Sequence, residues 1–118
     1  MEACPKQFGK ESENLAASYL KDKGFIILTQ NYRYKKAEID IIARKNNCLY
    51  FVEVKARKNT KFGYPEEFVT SYKQRLLKKA AENYILEHHW NEPIRFDIIA
   101  ILQQEDVVEL VHFEDAFS

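Results

Sequence analysis

The sequence predicts an α/β fold: a mixed five-stranded sheet flanked by helices, in the chain order α-β-β-β-α-β-β. Three observations carry this expectation. Two stretches repeat apolar residues at helical spacing, and five short stretches are rich in β-branched and aromatic residues. Only three Gly and three Pro interrupt the 118 residues. A mixed sheet covered by helices, in three layers, is the simplest way for such elements to bury their apolar faces.

From Lys10 to Lys23, Leu15, Ala16, Tyr19 and Leu20 recur at helical spacing, and Gly24 follows as a C-terminal stop. Phe25 to Gln30 is a strand by composition. Ala37 to Ala43 and Leu49 to Arg57 are two stronger strands around the turn-forming pair Asn46-Asn47, and so a hairpin. After a loop with Gly63, Tyr64 and Pro65, the stretch Ser71 to His88 places Leu76, Leu77, Ala80, Ala81 and Tyr84 on one side, a second amphipathic helix. Arg95 to Leu102 and Val107 to Phe113 make a last hairpin across Gln103 to Asp106.

Apolar residues make up 46% and charged residues 31% of the chain, an ordinary globular mixture. That length has room for one domain, expected over residues 1–118. Met1 to Lys10 lacks the apolar core of a signal peptide, and no run approaches the roughly 20 apolar residues of a membrane span, so a cytoplasmic protein without membrane contact is expected. Cys4 and Cys48 have no neighbouring Cys or His and are read as free thiols, neither zinc ligands nor a disulfide.

The formal net charge is zero, without the overall excess of a nonspecific nucleic-acid binder. Positive charge is local: Arg33, Lys35 and Lys36; Arg57, Lys58 and Lys61; Arg75, Lys78 and Lys79. Such clusters are ordinary solvated surface unless the fold gathers them onto one face, where they would meet phosphates.

Side chains alternate across a strand, so Leu49, Phe51, Glu53, Lys55 and Arg57 share one face. Counting outward from a two-residue turn at Asn46-Asn47, Lys45 opposes Cys48, Arg44 opposes Leu49, Asp40 opposes Glu53 and Glu38 opposes Lys55. An Asp facing a Glu is unfavourable without a compensating cation. Two carboxylates among apolar strand residues suit magnesium or manganese, and Lys55 beside them could orient a water or meet charge on a phosphate. The plainer alternative is a Glu38–Lys55 ion pair with Asp40 and Glu53 in solvent.

Glu13 lies at the margin of the first helix's apolar stripe. It reads equally as a third carboxylate at the sheet's edge and as an ordinary acidic residue favoured by the helix dipole. Lys73 sits within the apolar stripe of the second helix, in the first turn, where the dipole disfavours a cation. Its missing anion is a nucleic-acid phosphate, the Asp40 and Glu53 carboxylates, or Asp97, which interrupts the apolar run Phe96 to Leu102. Equally, Asp97 could form a structural pair with Lys73 or Arg95. His88, His89 and His112 are given no catalytic role. Trp90 and the tyrosines, at core-like spacing, read as packing before base stacking.

Ala37-Glu38-Ile39-Asp40-Ile41-Ile42 followed by Phe51-Val52-Glu53-Val54-Lys55-Ala56-Arg57 resembles the PD-(D/E)xK nuclease core. Together with Glu13, Asn31 to Arg33, Phe62 to Pro65, Lys73 and Arg95 to Asp97, nearly the full chain resembles the uncharacterised bacterial YraN family, and through it the archaeal Holliday junction resolvases. Ser12 and Ala37 stand where that family usually has Gly; both are small and leave the acidic side chains in place. The resemblance implies a restriction-endonuclease-like fold, a divalent metal on Asp40, Glu53 and Glu13, and Lys55 assisting an attacking water.

The expected function is metal-dependent hydrolysis of phosphodiester bonds in DNA, branched DNA included, with Mg2+ or Mn2+ and no small-molecule cofactor. Asp40, Glu53, Lys55 and Glu13 are the expected catalytic residues, and Arg33, Arg57, Lys58 and Lys73 the expected contacts to nucleic acid. The rival reading keeps the fold as a noncatalytic nucleic-acid-binding module, and a third makes it an interaction protein. Related resolvases act as dimers, so both a homodimer and a monomer stay open.

Overall fold

In the computed structural model the described residues are 5–118, so the free thiol expected at Cys4 lies outside them; Cys48 is a free, half-buried thiol. The chain order is α1 (Pro5–Asp22), β1 (Ile26–Tyr34), β2 (Ala37–Lys45), β3 (Cys48–Arg57), a 3-10 turn at Pro65–Phe68, α2 (Ser71–Glu87), β4 (Ile94–Gln104) and β5 (Val107–Phe117). The five strands form one sheet in sequence order, with β3 and β4 parallel and the other pairs antiparallel. The α/β class and element order are those the sequence predicts. The first strand is longer than expected, running on to Tyr34, and it pairs with β2 across the two-residue turn Lys35-Lys36.

Local chemistry accounts for the element ends. Gly24, at φ 92°, follows α1, with the Phe25 N–H donating to the Leu20 carbonyl and the Gly24 N–H to the Lys21 carbonyl, each at 3.0 Å. This is the Schellman arrangement that closes a helix whose next residue must be left-handed. Thr70 caps α2, its side chain accepting the Lys73 N–H at 3.2 Å. Three hairpin turns each place one left-handed residue: Lys35, Asn46 and Glu105.

Two apolar layers lie on opposite faces of the sheet. Ala16, Ala17 and Leu20 of α1 pack with Ile41, Ala43, Val52, Ile99 and Ile101. Leu77, Ala80, Ala81 and Tyr84 of α2 pack with Ala37, Ile39, Ile42, Leu49, Phe51, Phe96 and Ile98. Strand β3 serves both layers, Leu49 and Phe51 to one side and Val52 to the other. Among the described residues no helix is long and apolar enough to cross a membrane.

Strand β2 departs from regular alternation. In an unbroken strand residues 37, 39, 41 and 43 would share a face. Here Ile41 and Ala43 meet α1, whereas Ala37 and Ile39 meet α2. The pairing with β1 passes from Gln30↔Ile41 to Tyr32↔Ile39 without joining Asn31 to Asp40, and Asn31 is left-handed at φ 56°. The hairpin register with β3 holds as counted from Lys45↔Cys48 to Ile41↔Val52 and ends there.

Asp97 forms neither ion pair considered from sequence. It is fully buried, receives the His112 Nε2 at 2.7 Å, and accepts the Asp115 backbone N–H at 2.9 Å. His112 continues to the Tyr19 hydroxyl of α1 at 3.2 Å. The distal strand thus supplies the partner, because β5 runs on past Phe113 and brings His112 and Asp115 beside β4. Asp97→Ala, which leaves His112 and a backbone N–H without their buried acceptor, is expected to cost roughly 3 kcal/mol in urea unfolding.

Candidate metal centre

The break at Asp40 positions the site. Freed from the ladder, Asp40 turns its carboxylate toward β3, where Oδ2 accepts the Val54 backbone N–H at 2.8 Å. That bond holds Asp40 beside Glu53, the next residue along β3 from the last paired position. Glu13 approaches from α1 and Glu38 from two residues earlier on β2. The Asn31 side-chain amide ties these two together, donating to Glu13 Oε1 at 2.8 Å and to Glu38 Oε1 at 3.0 Å. Carboxylate oxygens of Glu13, Glu38 and Asp40 all lie within 4.8 Å of one another.

The burial and crowding of these acids have an electrostatic consequence. Burial, then the hydrogen-bonded and charged Glu53 beside it, push Asp40 from an ordinary 3.8 up to about 8, against the Val54 N–H and Glu13, which lower it. Glu13 rises from 4.5 to about 7, by burial first and then by the charge and hydrogen bond of Asp40, while the Asn31 amide lowers it. In the absence of a cation, part of the cluster therefore keeps its protons near neutral pH.

Glu53 is only 3% exposed, and its Oε2 has no hydrogen-bond donor. The Lys73 ammonium of α2 lies 3.5 Å away, an ion pair that makes no hydrogen bond to this oxygen. Of the three anions weighed for Lys73, the carboxylate site is the one beside it. A buried carboxylate oxygen without a donor, next to a second carboxylate holding a proton, has the chemistry of a hard-cation site. The donor set therefore fits magnesium or manganese.

The sequence-derived geometry is corrected at Asp40, which forms no ladder pair with Glu53 and meets it only through its side chain, and at Glu38. Glu38 does not oppose Lys55, because the β2–β3 ladder stops at Ile41↔Val52. Instead it pairs with Arg33 on β1 at 3.1 Å. The Glu38–Lys55 ion pair and the solvent-facing Asp40 and Glu53 of the plainer alternative are therefore absent. Lys55 is half-buried two residues beyond Glu53, paired in the sheet with Ala100, and has no ion-pair partner among the described residues.

Arg33 is exposed apart from its contact with Glu38. Arg57 stacks its guanidinium over Phe68, 4.2 Å from the ring centroid, and Lys58 lies 5.3 Å from the Phe8 ring, extending positive charge past Lys55. Asn31 and Glu38 are the residues whose part in the site the sequence reading missed. The available signal was an Asn within an aromatic strand, a residue tolerant of the left-handed backbone that breaks a ladder.

Glu13, Glu38, Asp40, Glu53 and Lys55 all lie within the segment matched by one family model. The description of the uncharacterised protein family UPF0102 matches residues 12–101. The chain belongs to UPF0102. This is the family that the sequence motifs indicate under the name YraN. Similar UPF0102 proteins include one from Flavobacterium psychrophilum, 46% identical over 109 residues, covering 92% of each chain. Another, from Geotalea daltonii, is 47% identical over 115 residues, covering 96% of this chain and 91% of its own. UPF0102 members of this kind span the whole site, from Glu13 on α1 to β4.

The pKa shifts give a signed expectation. Both acids hold protons more tightly folded than unfolded, so their contribution to stability is complete below the ordinary carboxylate range and is lost as pH rises through about 7 for Glu13 and about 8 for Asp40. Metal-free protein should therefore melt about 5 °C lower at pH 8 than at pH 5, and millimolar magnesium or manganese should reverse the fall. Scanning fluorimetry with and without EDTA checks this, and Asp40→Asn, which keeps an acceptor for Val54, should flatten the slope.

Proposed function

We propose that this protein is a metal-dependent nuclease acting on phosphodiester bonds in DNA, with Asp40, Glu53 and Glu13 holding the ion. The observation that carries this reading is the buried Glu53 Oε2 without a donor, adjoining an Asp40 carboxyl pushed up to about 8. A magnesium or manganese ion supplies positive charge that stabilises a phosphodiester under attack. Glu38, drawn into the same cluster, is an additional ligand candidate that the sequence motif alone does not assign.

The chain's own residues have definable tasks. Val54 N–H fixes the Asp40 carboxylate within the cluster, beside Glu53 and Glu13. Asn31 orients Glu13 and Glu38 through a single amide. Lys55, without a carboxylate partner, is available to orient a water or to meet negative charge on a phosphate oxygen. Arg57 at the end of β3 and Lys58 just beyond it bring cations that would hold the neighbouring backbone, and Arg33 lies on β1 beside Glu38.

One observation favours the rival, a nucleic-acid-binding module without turnover. Lys73 lies 3.5 Å from Glu53 and supplies part of the countercharge that an ion would otherwise bring. The two readings separate on branched, single-stranded and duplex DNA incubated with magnesium or manganese. Cleavage that requires the metal and falls at least about 100-fold in Asp40→Asn and Glu53→Gln is expected for the enzyme. Salt-sensitive binding that both variants retain, with no cleavage of any substrate, would establish the binding module instead.

Calorimetric titration adds an independent measure. Glu53→Gln should weaken metal binding while metal-free thermal stability stays level or rises, since the change removes a like charge beside Asp40 and leaves a half-exposed Lys73 that water can solvate. A clear fall in metal-free stability would make Glu53 a structural partner of Lys73. Lys55→Met should leave metal affinity unchanged and lower cleavage by about 100-fold.

A further inference from the structure

Between the β1–β2 turn and α2 lies a cavity of ≈ 240 Å³ lined by Tyr34, Lys35, Lys36, Ala37, Leu76 and Lys79. Its walls are almost wholly apolar although three of its six lining residues are lysines, so the lysines contribute their aliphatic stems to the wall and their ammonium groups lie off it. An adjoining hollow of ≈ 370 Å³ shares Tyr34, Lys35 and Lys79 and continues toward the exposed Leu86. The Lys35 ammonium lies 5.3 Å from the centroid of the Tyr34 ring. The fold thus brings together basic residues that are more than 40 positions apart in sequence, at a pocket that no part of the proposed chemistry uses.

We propose that this cavity receives one unpaired nucleobase of the DNA substrate, with the flanking phosphates on Lys35, Lys36 and Lys79. The inference rests on the reading of the carboxylate cluster as a phosphodiester site and names the kind of strand presented to it. An apolar slot with an aromatic wall suits the flat face of a base, and a rim of cations suits the charge on either side. Bases inside a duplex offer only their edges to the grooves and cannot enter such a slot without leaving the stack.

Two elements lead from the pocket to the carboxylates. Ala37 precedes Asp40 by three residues on β2, roughly 10 Å along an extended strand. On α2, Leu76 follows Lys73 by three residues, about 4.5 Å along the helix axis. A base in the cavity would therefore lie about three stacked nucleotides, at about 3.4 Å each, from the cluster. Substrates with an unpaired nucleotide at that distance from the cut, such as flaps, bulges and junction arms, are the class that satisfies both sites at once.

The test measures binding by fluorescence anisotropy in EDTA, using a labelled thymidine strand of about 12 nucleotides against an equally charged strand with abasic central positions. Wild-type protein should bind the base-bearing strand about tenfold more tightly. Tyr34→Leu, which keeps apolar bulk but removes the ring, should abolish most of that difference, and Asp40→Asn should retain it. Equal affinity of the wild type for the two strands, or a difference that survives both Tyr34→Leu and Leu76→Glu, would overturn the proposal. The wild-type comparison holds even if a variant fails to fold. Base preference without metal-dependent cleavage supports the pocket and sinks the nuclease reading; cleavage without base preference does the reverse.

Discussion

The hydrogen bond from the Val54 backbone to the Asp40 carboxylate is the contact around which the site is arranged. A backbone N–H at the centre of a sheet needs an acceptor, and where the β2–β3 ladder ends a side chain takes over from the missing carbonyl. The substitution has two effects. It satisfies β3 at a point where β2 has turned away, and it anchors a charged group that would otherwise seek water. The same turn moves Ala37 and Ile39 to the α2 side of the sheet, so one local irregularity sets both the core packing of β2 and the direction of its carboxylate.

Gathering Glu13, Glu38, Asp40 and Glu53 from three elements is costly for the metal-free fold, and their surroundings show how that cost is contained. The Asn31 amide donates to two of the acids, Arg33 meets a third oxygen, and Lys73 faces the most deeply buried member. These partners lower the repulsion without ending it: burial first, and then the neighbouring acids, hold Asp40 and Glu13 above the ordinary carboxylate range. Structural ion-pair networks usually pair acids with bases until charges are matched. This one leaves a buried carboxylate oxygen without a donor, which is the feature expected where a cation completes the coordination.

The buried acid of the neighbouring strand is treated differently. Asp97 is as deeply buried as any residue of the chain, yet each of its oxygens has a donor, from His112 and from the Asp115 backbone, and the chain of contacts ends on Tyr19. The contrast between a satisfied aspartate on β4 and an unsatisfied glutamate on the adjacent β3 separates a polar group that holds strands together from one available to a ligand.

The sequence by itself determined the α/β class, all seven principal elements, and the hairpin register from Lys45↔Cys48 to Ile41↔Val52, because periodicity and a two-residue turn are properties of neighbouring residues. It also marked Asp40, Glu53 and Lys55, since charges within a buried β-branched hairpin are legible without coordinates. Only the tertiary structure decided that Glu38 turns to Arg33 instead of Lys55, that Asn31 links Glu13 to Glu38, and that Lys73 faces Glu53 while Asp97 takes His112. Counting residues assumes an unbroken ladder, whereas the left-handed Asn31 and the unpaired Asp40 interrupt it. Contacts between α1, β2, β3 and α2 join residues distant in the chain, and their identities depend on how the layers pack, which no local pattern encodes.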